Sequence, residues 1–255
     1  MSEAKKKAHK KKKKNKLRKR ILLLAIIIAG MTIFAMITPI FNITEIKVVD
    51  NTKIEKETII SLSRLTIGEN IFKNLKSKVE TNIKENPYIE DVTMKRIFPG
   101  TVELKIKERE IDYQIEIIDG YVYIDNQGYI LENNSKKAEV PILQGMRTSQ
   151  DELLNGKRLN IEDLNKLNTI IKIMDSAKAI KIEDLITTIN VENTNQYILY
   201  LKIKKKYIYL GDASNLNNRM LYVQIILEQE ENEGTIFIDG DLNDGFKPYF
   251  REKTK

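Results

Sequence analysis

The chain has 255 residues, with 43 Lys and Arg against 36 Asp and Glu, no Cys, no Trp and a single His, His9. Its formal +7 is uneven: Lys5, Lys6, Lys7, Lys10, Lys11, Lys12, Lys13, Lys14, Lys16, Arg18, Lys19 and Arg20 stand against Glu3 alone, a net +11, which leaves −4 on the other 235 residues. Past residue 20 there is no thiol, no imidazole and no basic excess, which excludes Cys-His and Ser-His-Asp catalysis, the usual zinc sites and a nucleic-acid face there.

Ile21 to Phe41 follows the basic stretch without a charge. A helix rises about 1.5 Å per residue, so roughly 20 residues cross a hydrocarbon core of about 30 Å. A lone span in lipid must be helical to satisfy its own backbone. Pro39 marks where such a helix stops. The run is longer than the apolar part of a signal peptide, and Thr38-Pro39-Ile40-Phe41 offers no small-residue cleavage site. Basic flanks stay in the cytoplasm. The expectation is therefore a single-pass cell-membrane protein, with a cytoplasmic tail at 1–20, a transmembrane helix at 21–41 and everything beyond outside. The tail suits anionic lipid head groups, each cation near the surface contributing about 1 kcal/mol.

After the span, Ile43, Ile46 and Val48 alternate with polar residues, a half-buried strand. Ile54 to Leu65 has helical spacing at Ile59, Leu62 and Leu65. Asn70, a good N-cap, predicts a second helix carrying Ile71, Phe72, Leu75, Val79 and Ile83 on one face. Asn86-Pro87 stops it. Ile89, Val92 and Met94 form a strand ahead of a turn at Pro99-Gly100. Val102, Leu104 and Ile106 alternate in the next strand. Strand, helix, helix, strand, strand in this order builds a small sheet with both helices on one face.

These segments resemble a known family. The strand Phe41-Asn42-Ile43-Thr44-Glu45-Ile46-Lys47-Val48, the runs Ile-Gly-Glu-Asn-Ile-Phe (67–72), Asn-Pro-Tyr-Ile (86–89) and Arg-Ile-Phe-Pro (96–99), and the strand end Lys-Glu-Arg (107–109) follow a basic tail and one anchor. That arrangement is similar to the POTRA domain of the bacterial FtsQ/DivIB cell-division family. The likeness continues through Tyr121–Leu131, a strand–turn–strand pattern with Gly128 in the turn, and Pro141-Ile142-Leu143-Gln144-Gly145. A polar loop is expected over 146–160 and a helix over 161–177 with Leu164, Leu167, Ile171 and Met174. Strands are expected near 185–191, 197–203 and 207–210, the last ended by Gly211. A helix from about Leu216 carries Met220, Val223, Ile226 and Leu227, and Thr235 to Asp239 reads as the last strand. The fold class is α+β: a transmembrane helix, a POTRA-like domain at 43–112, a β-rich mixed domain at 113–240 and a short tail at 241–255. The junction is expected between Arg109 and Tyr121. One departure stands out, since Asp239-Gly240-Asp241 replaces the Asp-Leu-Arg often found in the family.

Candidate chemistry is sparse. Asp239 to Gly245 resembles the start of a calcium loop, but the sixth and twelfth positions hold Asp244 and Phe250 where Gly and Glu are needed. Glu108 and Glu110 are spaced like a carboxylate pair for glycan hydrolysis, in a run of alternating charge typical of a solvated strand end. No phosphate loop precedes Lys-Ser or Lys-Thr. Tyr197, Tyr200, Tyr207 and Tyr209 read as strand packing. No cofactor or metal is expected.

The resemblance implies a non-catalytic divisome scaffold at the septum. Its implied partners are small single-pass proteins of the FtsB/DivIC and FtsL type and the septal peptidoglycan synthase complex. The other reading is an anchored cell-wall-binding or cell-wall-modifying protein, which needs two converging acids. The partner site is expected at Thr235, Ile236, Phe237, Ile238 and Asp239, with Tyr249 close by. That strand carries no Lys or Pro to blunt a free edge and no later strand is expected to cover it, so it suits strand addition. Thr235, Phe237 and Asp239 should face one way, Ile236 and Ile238 the other.

Overall fold

The computed structural model describes residues 3–253, and side chains from residue 16 onward, Leu17 and Asn243 excepted. Two compact units divide the chain: residues 3–85 with 89–108, and residues 86–88 with 109–253.

The first unit begins with α1, Glu3–Ile37, whose apolar window Arg18–Ile37 has a mean hydropathy of 2.5 and no buried residue. The helix stops short of Phe41. Thr38 is extended, as a residue before proline prefers, and Pro39–Phe41 forms one 3-10 turn. Next come β1 (Glu45–Val49), α2 (Lys56–Ser63), α3 (Lys76–Ile83), β2 (Ile89–Ile97) and β3 (Thr101–Glu108). The three strands form a sheet in the order β1-β3-β2, with β3 parallel to β1 and antiparallel to β2. On β3, Val102, Leu104 and Ile106 are buried and their neighbours are not, so one face meets Ile59, Val79 and Ile83 of the helices. The expected order of elements therefore stands.

The second helix starts later than expected. The Asn70 side chain accepts from the Phe72 N–H at 3.0 Å, closing a local turn instead of capping a helix. Ile71 and Phe72 lie in the loop that follows, and Leu75, the residue before α3, is exposed.

The second unit is one nine-stranded sheet with two helices. Its elements are β4 (Tyr113–Ile117), β5 (Gly120–Ile124), β6 (Ile130–Asn134), β7 (Ile142–Gln144), α4 (Ile161–Ala179), β8 (Ile186–Asn190), β9 (Tyr197–Leu201), β10 (Lys206–Gly211), α5 (Leu216–Gln229), β11 (Gly234–Phe237) and β12 (Tyr249–Glu252). The spatial order is β12-β11-β10-β9-β8-β7-β4-β5-β6. The register lines up Val122, Ile115, Leu143, Ile189, Leu199, Ile208, Ile236 and Phe250 on adjacent strands. Partners in register share a face, so this apolar row is the floor of the core. Leu167, Ile170 and Ile173 of α4 and Met220, Val223 and Ile226 of α5 close it from above.

Three strands were not expected. β4 occupies the proposed junction, β7 is three residues long, and β12 lies in the stretch expected as a tail. The 146–160 loop is not wholly superficial either, since it buries Leu153 and Leu159.

Candidate functional site: the β12 edge

The last strands of the second unit hold the expected partner residues. Thr235, Ile236 and Phe237 lie on β11, with Ile238 and Asp239 just beyond it. Ile236 and Ile238 are fully buried, Thr235 and Phe237 are half-buried, and Asp239 is exposed, as the expected alternation requires. The edge assignment is corrected. β11 is parallel to β10 on one side and antiparallel to β12 on the other, so Thr235 to Phe237 is an inner strand. Later residues cover it because the chain reverses through Gly240 and Gly245, and Tyr249–Glu252 returns alongside.

The open edge on this side is β12, which carries Tyr249. The Lys253 N–H donates to the Glu233 carbonyl at 2.9 Å. Hydrogen-bonded and non-bonded pairs alternate along an antiparallel ladder. Tyr249, Arg251 and Lys253 therefore turn their main-chain groups toward β11, and Phe250 and Glu252 turn theirs outward. The opposite edge, β6, is partly covered by the loop before α4: Ile130 N–H donates to Lys157 O at 2.8 Å and Gly156 N–H to Ile130 O at 2.7 Å.

The face of the sheet away from the helices is aromatic near this edge. The rings of Tyr209 and Phe237 lie 5.2 Å apart, those of Phe237 and Tyr249 4.9 Å, and those of Tyr200 and Tyr207 4.6 Å. The Arg251 guanidinium lies 5.0 Å from the Phe237 ring centre. Such rings offer broad contact area, and Arg is one of the residues enriched where proteins meet.

Two buried cations hold the edge in place, and sequence reasoning missed both. Lys206 donates to the Asn232 carbonyl and lies 5.3 Å from the Phe250 ring centre; burial pushes its ammonium below the usual lysine range. Arg219 donates to the Ile238 carbonyl and, at 2.9 Å, to Ser214 O. The signal was positional. Lys206 shares the core-facing parity of Ile208 and Leu210, and Arg219 lies on the apolar stripe of α5 with Leu216 and Val223. Gly234 lets β12 approach: a Cβ there meets Arg251 O at 2.3 Å and the Phe250 ring at 2.5 Å.

Glu108, weighed as half of a carboxylate pair, has a different task in the first unit. Its Oε1 accepts from the N–H of Thr52 at 2.9 Å and of Ile54 at 3.1 Å; its Oε2 accepts from Lys53 N–H at 2.8 Å and Thr52 Oγ1 at 2.7 Å. Burial raises its pKa, but these bonds outweigh burial and hold the carboxyl below its ordinary range. A general acid needs the opposite shift.

The chain has clear relatives. A family model described as POTRA domain, FtsQ-type, matches residues 41–109. The chain is 31% identical over 216 residues to the cell division protein DivIB of Clostridium tetani, spanning 82% of this chain and 78% of that protein. It is 27% identical over 196 residues to the cell division protein FtsQ of Syntrophotalea carbinolica, spanning 75% and 67%. It is 27% identical over 206 residues to the DivIB of Clostridium acetobutylicum, spanning 79% and 80%. At that identity and coverage, with the FtsQ-type POTRA match ahead of a β-rich unit, the chain belongs to the FtsQ/DivIB family of cell-division proteins.

Proposed function

We propose that this protein is a non-catalytic scaffold of the division machinery. α1 anchors it with the N-terminus in the cytoplasm, and an extended segment of a small single-pass partner of the FtsB/DivIC or FtsL type adds to the sheet along β12. The septal peptidoglycan synthase complex is then reached through those partners, and the basic stretch before α1 rests on anionic lipid. The observation that carries the docking reading is the pair of outward-turned main-chain positions, Phe250 and Glu252, beside an aromatic face. Strand addition draws affinity from main-chain hydrogen bonds and specificity from the side chains that alternate along them. Arg251 and Lys253 on and after the strand, and Pro248 before it, guard a short edge against indiscriminate pairing. The engagement of both Glu108 oxygens favours the scaffold over a wall hydrolase.

Glu252→Pro removes one outward N–H and leaves the ladder to β11, a position where edge strands accept proline. Partner co-purification should fall sharply with an unchanged melt. Phe237→Pro, on the inner strand, should lower the melt itself. Undiminished partner capture by a folded Glu252→Pro protein would refute the edge.

A further inference from the structure

We propose that the first unit seats one end in the headgroup and acyl boundary of the bilayer that α1 crosses, so that lipid covers an apolar patch on the POTRA domain. The inference rests on the reading that α1 spans a membrane, and it concerns a surface separate from the β12 edge.

No slack separates α1 from the domain. Asn42 and Asn70 form a bridge. Ile43 N–H donates to Glu69 O, Gly68 N–H to Ile43 O and Ile71 N–H to Phe41 O, each at 2.8 Å. Thr44 N–H donates to Gly100 O at 2.8 Å. The segment leaving the helix is thus stitched to the 66–75 loop and to the 97–100 turn. The Asn70 side-chain amide then reaches back to the carbonyl of Ala35 at 2.9 Å. Ala35 lies two residues inside the end of α1. At 1.5 Å of rise per residue, that holds the loop within about 3 Å of the level where the apolar helix ends.

The surface at that level is apolar. Ile40, Ile67, Leu75 and Phe98 are each more than half exposed, and Ile97 is exposed beside them. The Phe98 ring packs 6.1 Å from that of Phe41 and 5.6 Å from that of Phe72, which joins the turn, the exit segment and the loop into one patch. Among the described residues of the first unit outside α1, every large apolar side chain that is exposed falls in these segments. The rest of the domain surface carries none. An apolar cluster confined to the end that the anchor holds against the bilayer has lipid as its nearest apolar phase. Apolar faces lying in an interface enter it by about 5–10 Å.

The protein has no Trp, so single reporters are clean. Phe98→Trp, Leu75→Trp, Phe34→Trp and Lys53→Trp are each made in the full chain and reconstituted at low density in vesicles of lipids brominated along the acyl chain. Phe34 lies inside the span. Lys53 is exposed and lies beyond β1, which leads away from the anchor by about 3.3 Å per residue. The Phe98→Trp and Leu75→Trp proteins should lose most of their emission to bromines near the headgroups and shift to the blue, as Phe34→Trp does with deeper bromines, while Lys53→Trp keeps its emission. Quenching of Phe34→Trp with escape of both patch reporters overturns the seating alone. Escape of Phe34→Trp overturns the span and the seating together. Quenching of Lys53→Trp equal to Phe98→Trp also overturns it, because the patch is then not selective. A blue shift without quenching that fades as lipid is added assigns the patch to a second copy and rejects lipid.

Discussion

Gly234→Ala tests whether β12 is held as described. Gly234 is needed for space and not for an unusual backbone angle: a Cβ added there would fall 2.3 Å from Arg251 O, about 1 Å inside ordinary van der Waals contact. β12 has only four residues. Its ladder bonds contribute roughly 1 kcal/mol each net, and half-burying the Phe250 ring adds about 1–1.5 kcal/mol. Fixing each residue costs about 1–2 kcal/mol of chain entropy. These contributions are of similar size, so the strand is held closed by no more than a few kcal/mol. Overpacking costs typically about 1–3 kcal/mol, so the added methyl brings open and closed populations close to balance. Native-state amide exchange on the full chain in detergent reads this directly. The Arg251 and Lys253 amides should exchange about 10–100-fold faster, the amide of Ile236, which lies on β11, should change much less, and partner capture should weaken. Unchanged protection at Arg251 and Lys253 would refute the steric argument and the narrow margin of β12.

Other tests follow from the same structure. Glu108→Gln turns an amide NH2 toward N–H donors that now meet a carboxylate oxygen, so it should destabilise the first unit by about 1–2 kcal/mol, a figure already reduced for the solvent around this turn. Because the folded carboxyl titrates below its ordinary 4.5, its contribution is complete above that pH and is lost as pH falls through the folded value. The wild-type minus Glu108→Gln stability difference should therefore shrink on acidification, and a difference that grows would contradict the clasp. The absence of native Cys makes topology simple to read. An impermeant thiol reagent on wall-accessible cells should label Ser135→Cys and spare Ser2→Cys, a position outside the described residues, and the reverse pattern would overturn the orientation. Arg219→Met removes the donors to Ile238 O and Ser214 O. It should lower the stability of the second unit by about 2–3 kcal/mol, since the buried Ile238 carbonyl and the part-buried Ser214 carbonyl lose their donor. A melt within error of wild type would show that water replaces the guanidinium.

Long periodic segments were legible in the sequence and short non-local ones were not. α4 and α5 carry apolar stripes over several turns, and β3 alternates over eight residues, so local spacing suffices. β7 has three residues and β12 has four with only Phe250 turned to the core. Such strands exist because a neighbour supplies the ladder, and a local pattern holds no record of that neighbour. β12 is also preceded by Lys247-Pro248, which reads as the end of structure. Asn70 misled for a physical reason: an Asn side chain that closes a turn and one that caps a helix look alike until the next residues are placed. The facing of Thr235 to Asp239 was readable from parity, because a strand's two faces are fixed by its sequence. Its place inside the sheet was not, because that depends on a reversal through Gly240 and Gly245.

The central claim is that partners add a strand to β12, and the amide pattern along that strand tests it most directly. In the free protein, the amides of Tyr249 and Arg251 should be protected by β11, and those of Phe250 and Glu252 should exchange freely. Adding the purified small single-pass partner should slow Phe250 and Glu252 selectively, in strict alternation, with little change at Tyr249 and Arg251. A partner that binds while Phe250 and Glu252 go on exchanging freely would contradict the account.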